Sequence, residues 1–259
     1  MNSPAPQPQP AWYQLLDLAR QARSLAVFSG AGMSTESGIP DYRSPGGVWT
    51  KVEPPTLREF LSGLEGRRRY WDYYREFFPV FQRAKPHPGH LALGRLHAAG
   101  RLAGVVTQNV DGLHQAGGVP GERVWELHGN VFGSACLGCG RHEVATAQLL
   151  EAYVVRGVIP QCPLCAGPLK PRTISFGQSL DRQLLAQAAE LCSRADLLLV
   201  VGSSLVVTPA AELPRFTLRQ GGQVAILNQQ PTNLDHQAAV VIPQPAGTVL
   251  SWMAEKLLL

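Results

Sequence analysis

The chain has 259 residues, of which 45% are hydrophobic and 16% are charged, and its formal net charge is +4. This composition suits a globular protein with a substantial core, and it excludes a chain that is disordered throughout. No apolar run approaches the roughly 20 residues that span a bilayer, and the proline-rich start lacks the apolar segment of a signal peptide. We therefore expect a cytoplasmic protein without a membrane anchor, built as one large domain with or without a smaller insert.

Short apolar runs alternate with helical patterns along the chain. Residues 1–11 are rich in proline and predict a disordered tail, and a helix follows at residues 12–24. Further helices are predicted at residues 58–81, 89–99, 146–155 and 184–192. Strands are predicted at residues 25–28, 102–107, 124–127, 195–201, 223–227 and 240–242. Buried strands that alternate with helices indicate a parallel sheet covered on both faces, and hence an α/β fold.

Polar residues and glycines follow most of the predicted strands at the point where each strand ends. Ligands of open parallel sheets bind beyond the carboxyl ends of the strands, so these residues predict a binding site. They comprise residues 30–32, 108–111 and 202–204, together with His128 and Asn228.

The loop after the first strand is rich in glycine and begins Gly-Ala-Gly-Met-Ser-Thr at Gly30. Such a loop is typical of a nucleotide phosphate site, because glycine lets the main chain approach the phosphate. The dinucleotide fingerprint G-x-G-x-x-G is incomplete, since Ser34 and Thr35 stand where the third glycine belongs. No acidic residue ends the second strand, so a hydride-transferring dehydrogenase is disfavoured.

His128 lies at a predicted strand end, and Gly129 leaves space beside it. A single histidine is more often structural than catalytic, but one at this edge can accept a proton from a sugar hydroxyl. Gln108, Asn109 and Asp111 follow a buried strand, and their amides and carboxylate suit ribose hydroxyls and a carboxamide. A simple strand cap is the alternative for these three residues. We assign no role to the other six histidines.

Four of the five cysteines form two pairs, Cys136 with Cys139 and Cys162 with Cys165. A gap of two residues lets both thiolates of a pair face one metal ion, and two pairs complete a tetrahedral zinc site. The alternatives are two disulfides, which fit poorly with a chain that lacks a secretion signal, or four reduced core cysteines. Four protein ligands leave no open position, so the predicted site is structural. Cys192 is interpreted as a small buried apolar residue.

The chain resembles the sirtuins, the NAD-consuming protein-lysine deacylases. The resemblance extends from about residue 15 to residue 250 and rests on motifs that stand in sirtuin order. These are residues 30–43, 107–111 and 127–129, the two cysteine pairs, residues 176–177, 202–205 and 209–211, and Asn228.

The resemblance implies a Rossmann-like, doubly wound parallel sheet and a smaller domain made of a zinc ribbon and a helical module. The large domain would comprise residues 12–45, 85–131 and 172–259. The helical module would be residues 46–84 and the zinc ribbon residues 132–171, with the substrate entering between the two domains. NAD as co-substrate and one structural Zn²⁺ are implied as well.

In such an enzyme the acyl oxygen of the modified lysine attacks the ribose carbon of NAD and expels nicotinamide. The resemblance makes His128 the general base, which lets the 2′-oxygen attack the resulting alkylamidate and form O-acyl-ADP-ribose. Asn109 and Asp111 match residues that hold the nicotinamide ribose and carboxamide. The implied NAD-binding set is Gly30, Ala31, Gly32, Ser34, Asp41, Tyr42, Arg43, Gln108, Asn109, Val110, Asp111, Gly202, Ser203, Ser204, Asn228 and Ala246. Ile174, Phe176, Gly177 and Val206 would flank the acyl-lysine.

The chain departs from the sirtuin pattern at two positions. Gln178 stands where many relatives have glutamate, which removes a charge near the peptide groove, and Gln244 stands where glycine is common. Desuccinylating relatives carry an arginine three residues after a tyrosine, and the arginine pairs with the acyl carboxylate. Tyr70, Tyr73 and Tyr74 have no arginine at that offset. We therefore expect acetyl or other uncharged acyl groups to be preferred.

The leading hypothesis is an NAD-dependent protein-lysine deacetylase, with a preference for longer uncharged acyl groups as a variant. A mono-ADP-ribosyltransferase using the same NAD site is the main alternative, and a non-catalytic NAD sensor is a third. The expected partners are acylated-lysine proteins or peptides, without membrane contact or direct nucleic-acid binding. The basic run at residues 67–69 is interpreted as a solvated face, and we expect a monomer.

Overall fold

The computed structural model describes residues 7–41 and 53–259, which form two compact units. The large unit consists of the residues up to Asp41, Lys85–Leu127 and Asp181–Leu259. The small unit consists of the described residues between Tyr42 and Ala84, together with His128–Leu180. Residues 128–131 and 172–180, which the sequence led us to place in the large domain, therefore belong to the small unit. The physical reason is local pairing, since the amide of Ile174 donates to the carbonyl of His128 at 2.8 Å.

Nine strands and nine helices are present in the described ranges, besides short 3₁₀ turns. The strands are β1 (Leu25–Ser29), β2 (Gly104–Thr107), β3 (Val124–Glu126), β4 (Gly133–Cys136), β5 (Glu143–Ala145), β6 (Leu169–Pro171), β7 (Leu197–Val201), β8 (Gln223–Leu227) and β9 (Val240–Ile242). The helices are α1 (Pro10–Gln21), α2 (Leu57–Leu61), α3 (Leu64–Arg83), α4 (Pro88–Ala98), α5 (Leu113–Ala116), α6 (Thr146–Arg156), α7 (Arg182–Arg194), α8 (Pro214–Arg219) and α9 (Ala246–Leu257).

The sheet of the large unit has the strand order β3-β2-β1-β7-β8-β9, and every neighbouring pair is parallel. This is the order of a Rossmann-type sheet, and it confirms the predicted α/β fold. All six predicted strands are present. The direction of winding reverses between β1 and β7, which is where open sheets of this type bind their ligands.

Helices cover both faces of this sheet. Alternate residues of a strand point to opposite faces, so each central strand contributes to two cores. Val27 and Leu199 enter a core with residues of α1, α4 and α9. Phe28 and Val200 enter a second core with residues of α7 and α8. The doubly wound arrangement is therefore built from the alternation within strands that are buried along their whole length.

Helix α1 begins at Pro10, two residues before the predicted start, so the prediction of a disordered tail is wrong for Pro10 and Ala11. Proline suits the first position of a helix, because its fixed φ is helical and no N–H is needed there. Trp12 is 1% exposed and anchors the helix against the core. Residues 1–6 of the predicted tail lie outside the described residues.

The small unit contains the antiparallel sheet β5-β4-β6 and helices α2, α3 and α6. The single helix predicted at 58–81 is divided into α2 and α3 at Gly63, whose φ of 141° is unsuitable for a helix. The aromatic side chains of α3 pack on one another and on α2, with 4.9 Å between the ring centroids of Tyr70 and Tyr74 and 4.8 Å between those of Phe60 and Tyr70. Among the described residues, none of the helices has the length and apolar content needed to cross a bilayer.

A pair of leucines on α4 tests the assignment of the large core. Leu93 is fully buried, whereas Leu91 on the same helix is 43% exposed. We expect Leu93→Ala to lower the free energy of unfolding by about 2–5 kcal/mol, because it leaves a cavity in a packed core. The matched Leu91→Ala change should cost less than about 0.5 kcal/mol. Urea denaturation measures both values, and equal losses would contradict the assignment.

Candidate functional site

The loops after β1 and β7 are joined through their main chains in the large unit. The amide of Gly30 donates to the carbonyl of Val201 at 3.0 Å, and the amide of Gly32 donates to the carbonyl of Gly202 at 2.8 Å. Gly202 has a φ of +60°, and a Cβ at this position would lie 2.1 Å from the Met33 nitrogen. Both the conformation and the space therefore require glycine at position 202. The glycines at the switch point keep two ligand-edge loops in contact.

Asn109, Asp111 and Ser34 form a buried hydrogen-bonded network at the same edge of the sheet. Ser34 Oγ donates to Asp111 Oδ2 at 2.7 Å, and Asn109 Nδ2 donates to Ser34 Oγ at 3.1 Å. Burial raises the pKa of the Asp111 carboxyl, and hydrogen bonds from Ser34 and from the Leu113 amide oppose that rise. Asn109 is 6% exposed and Asp111 is 5% exposed. The structure thus brings three of the predicted NAD-binding residues together in fixed orientations.

A second chain of hydrogen bonds reaches Asn109 through its main chain. Ser29 Oγ donates to Thr107 Oγ1 at 2.8 Å, and Thr107 Oγ1 also accepts from the Asn109 amide at 3.0 Å. Since the hydroxyl proton of Ser29 is used, the 2.7 Å contact between Ser29 Oγ and His114 Nε2 assigns the donor to the ring. Burial lowers the pKa of His114 to about 3, so the ring is neutral at neutral pH.

His114 is a residue to which sequence reasoning assigned no role. Its place in the short helix α5, directly after the polar segment that ends at Asp111, is the signal that would have identified it. The pairing with Ser29 joins positions 85 residues apart, which no local pattern reveals.

Gln108 links the loops after β2 and β7, because its Nε2 donates to Ser203 Oγ at 2.8 Å. Ser203 is 4% exposed, whereas Ser204 is exposed. The two serines therefore differ in what they offer to a ligand. Ser203 is part of the loop structure, and Ser204 presents its hydroxyl to the surface.

Asn228 and Ala246 stand at the ends of other elements of the large unit. Asn228 follows β8, and its Nδ2 donates to the Gln230 carbonyl at 2.7 Å, so the side chain is engaged in its own loop. Ala246 is the first residue of α9 and is 5% exposed. The Gln244 side chain accepts a hydrogen bond from Trp12 Nε1 at 2.8 Å, which ties the segment before α9 to α1.

Of the remaining predicted NAD-binding residues, some belong to the described part of the chain and others do not. Ala31 and Val110 are half-buried in the loops after β1 and β2, and Asp41 is half-buried at the end of a described range. Tyr42 and Arg43 lie outside the described residues, and their predicted contacts stay predictions.

His128 belongs to the small unit and lies in a turn that begins after β3. It is half-buried, and its carbonyl accepts the hydrogen bond from Ile174. Gly129 has a φ of +74°, and a Cβ there would lie 1.8 Å from the carbonyl oxygen of Arg172. The turn therefore packs directly on the segment that contains Ile174, and only glycine permits this approach.

Phe176 and Gly177 form an exposed turn in the same unit. The Phe176 carbonyl accepts from the Leu57 amide at 3.0 Å, and Gly177 has a φ of +82°. Gln178 Oε1 accepts from the Ser175 amide at 3.2 Å, so the amide side chain closes the turn. Of the four residues predicted to flank the acyl-lysine, Ile174, Phe176 and Gly177 are therefore on one segment. Val206 is in the large unit and is 62% exposed.

The four paired cysteines come together in the small unit, with their sulfur atoms all within 4.8 Å of one another. The amide of Cys139 donates to Cys136 Sγ at 3.4 Å, and such hydrogen bonds lower the pKa of the Cys136 thiol. A donation from the Arg141 amide lowers the pKa of Cys139 to about 6. Four clustered cysteine sulfurs with main-chain N–H donors fit a closed tetrahedral Zn²⁺ site, which they would bind as thiolates. Cys192 is buried in the second core of the large unit, as predicted.

Comparisons with known proteins agree with this geometry. The model of the Sir2 family matches residues 30–209. An NAD-dependent protein deacetylase of Rhodopseudomonas palustris is 41% identical over 238 residues, which cover 92% of this chain and 93% of the relative. The NAD-dependent protein deacylase 2 of Pyrobaculum aerophilum is 39% identical over 240 residues and covers 93% of both chains.

A solved structure gives the same result for the fold. It contains a Sir2 variant with a deacetylated p53 peptide and 3′-O-acetyl ADP ribose. It is 34% identical to this chain, covers 94% of it and 97% of its own chain, and has a TM-score of 0.86. The family model matches residues 30–209, the relatives and the solved structure cover more than nine-tenths of the chain, and the chain belongs to the Sir2 family.

Proposed function

We propose that this chain is an NAD-dependent protein-lysine deacetylase that forms nicotinamide, O-acetyl-ADP-ribose and deacetylated lysine, with one water consumed. The observation that carries the proposal is the buried network of Asn109, Ser34 and Asp111 at the switch point of the sheet. Hydrogen bonds within the network hold these buried polar side chains in fixed orientations, which is what a site that orients its ligand requires. The chain's relatives named as deacetylases and deacylases support the same activity.

The glycine loops hold the diphosphate of NAD. The amides of Gly30, Gly32 and Gly202 already donate to main-chain carbonyls, so these glycines shape the main-chain surface that the diphosphate meets rather than donate to it. Ser204 and Asn228 lie at neighbouring strand ends and contact the adenosine, with Ala246 beside them. Bound NAD supplies an electrophilic ribose carbon with nicotinamide as its leaving group.

Asn109 and Asp111 orient the nicotinamide ribose and the carboxamide. Their side chains are held by Ser34 and by the Leu113 amide, so little conformational freedom is lost when the substrate binds. The carboxylate of Asp111 accepts hydrogen bonds from N–H or O–H donors. The amide of Asn109 both donates and accepts.

His128 acts as the general base. Its imidazole takes the proton of a ribose hydroxyl, and the hydroxyl oxygen then attacks the acetyl carbon after the acetyl oxygen has displaced nicotinamide. The lysine leaves as an amine, which leaves the acetyl carbon bonded to two ribose oxygens. The one water consumed adds to that carbon as one of these two bonds breaks, and O-acetyl-ADP-ribose remains. His128 is half-buried in a turn that packs tightly on the neighbouring segment, which suits a base whose position must be fixed.

Ile174, Phe176, Gly177 and Val206 flank the acyl-lysine. The peptide pairs as an added strand with the main chain of the segment that contains Phe176. The partners are therefore proteins or peptides with an acylated lysine in an extended stretch. We place the enzyme in the cytoplasm, because metal-binding thiolates must stay reduced. Fractionation of cells with an antibody against the chain tests that location.

The role of His128 is tested by nicotinamide release from NAD in the presence of an acetyl-lysine peptide. We expect His128→Ala to lower turnover by about 10²–10⁴-fold, because the general base is lost. His236→Ala is the matched control, since His236 is exposed and lies outside the proposed site. It should keep full turnover. Equal activity of wild type and His128→Ala would refute the assignment.

Acyl preference is tested with matched peptides that carry acetyl, butyryl or succinyl groups on one lysine. The tyrosines of α3 have no arginine three residues later, so a succinyl carboxylate would be buried without a cation. We expect succinyl removal to be at least about tenfold slower than acetyl removal, the cost of one unpaired charge. Faster succinyl removal would show that another cation serves the site.

Zinc holds together the two turns that contain the cysteine pairs, and it takes no part in the reaction. We expect Cys162→Ser to lower the metal content from about one zinc per chain towards zero and to lower the melting temperature, because metal binding is coupled to folding. Cys192→Ala removes a thiol from the second core of the large unit and should retain the metal. Elemental analysis measures the zinc content of both variants. A wild-type protein without zinc would contradict the assignment of a zinc site to the four cysteines.

A further inference from the structure

Lys170 is a buried lysine that the reaction described above does not use. It lies on β6 and is 2% exposed. Its Nζ donates to the carbonyl of Pro171 at 3.0 Å and also to the carbonyl of Thr173. The Nζ lies 5.6 Å from the centroid of the Tyr70 ring, a cation–π contact. Among the ion pairs of the described residues, none involves Lys170.

Burial of this amine is unfavourable for stability. Removal from water lowers the pKa of Lys170 to about 7, and no opposite charge compensates. An apolar side chain of similar volume would fill the same space without that desolvation. Packing alone therefore does not explain why a lysine is present at this position. Its hydrogen bonds to two carbonyls indicate its role.

The carbonyls that Lys170 holds belong to the segment leading to the substrate-flanking residues. The Arg172 amide donates to the Gly133 carbonyl at 2.7 Å, which pairs the start of the segment with β4. Thr173 Oγ1 and the Tyr74 hydroxyl are 2.7 Å apart, which ties the segment to α3. The next residue, Ile174, donates its amide to the carbonyl of His128. Lys170 therefore holds the main chain one residue before the hydrogen bond to the catalytic turn.

We propose that Lys170 is a positioning residue for the deacetylation reaction, which fixes the acyl-lysine segment and the His128 turn relative to each other. The Thr173 carbonyl and the Ile174 amide belong to one planar peptide group. When Lys170 binds the carbonyl, the amide on the opposite side of that group points at the carbonyl of His128. This inference rests on the proposed function. All the groups involved belong to the small unit, so the effect should be on peptide binding and on turnover, which requires His128, rather than on the binding of NAD.

The test compares three variants of the full-length enzyme. Lys170→Met keeps the length of the side chain and removes its donors, whereas Lys170→Arg keeps donors and charge. Leu150→Ala is the structural control, because Leu150 is buried on α6 of the same unit and its apolar side chain takes no part in these hydrogen bonds. Zinc content, melting temperature, turnover and the KM values for peptide and NAD are measured for each.

We expect Lys170→Met to raise the peptide KM by about tenfold, since two buried carbonyls lose their donor. The KM for NAD should stay within about twofold of wild type, zinc should be retained, and Lys170→Arg should recover most of the loss. Leu150→Ala should lower the melting temperature without changing the peptide KM. An unchanged peptide KM in Lys170→Met, or an equal rise in Leu150→Ala, would overturn the inference.

The experiment also distinguishes a folding failure of Lys170→Met and a failure of the proposed function from a failure of the positioning role. If Lys170→Met fails to fold, Tyr74→Phe replaces it, since this change removes only the hydroxyl bonded to Thr173. A rise of about threefold in peptide KM is then expected, and an unchanged value overturns the inference. If the wild type releases no nicotinamide from NAD and acetyl peptide, the proposed function itself fails. An active wild type with an unaffected Lys170→Met rejects only the positioning role.

Discussion

The close approach of two loops at Gly202 is the constraint on which the site of the large unit depends. The main chains after β1 and β7 meet at distances that no side chain permits, and the sheet supplies the parallel register that brings them there. Parallel strands place all their carboxyl ends at one edge, so a single contact at the switch point organises the polar residues that follow β1, β2 and β7. The network around Ser34 is possible because its loop is held in this way.

In the small unit, a different glycine likewise allows two main-chain segments to pack closely. Gly129 lets the turn of His128 pack on the main chain at Arg172, and the Ile174 amide completes the contact. In both units glycine removes the side chain where main chains must touch, and polar side chains then orient the chemistry. Cys136 of the cysteine cluster and Lys170 lie on neighbouring strands of the small-unit sheet, which leads into this segment. In the proposed account, the metal and the buried amine support the position of His128 and take no part in the reaction.

The sequence was sufficient for the elements whose residues carry a strong local pattern. The run Leu197–Val201 is buried on both faces, so it reads as a central parallel strand. The cysteine pairs predicted their cluster from spacing alone. Long-range pairings were not predictable. His114 contacts Ser29, which is 85 residues away in the chain. Lys170 binds main-chain carbonyls, and because every residue has one, the sequence does not indicate which carbonyls it binds. The division of the aromatic helix depended on the φ of Gly63, which the aromatic pattern on either side concealed.

The most direct test of the account follows the acetyl oxygen. A peptide whose acetyl-lysine carries a heavy oxygen isotope in the carbonyl is incubated with the enzyme and NAD, and all products are weighed by mass spectrometry. The account predicts equal amounts of nicotinamide, deacetylated peptide and O-acetyl-ADP-ribose, with the heavy oxygen in the ADP-ribose product. Labelled free acetate beside intact NAD, or ADP-ribose attached to protein, would contradict it.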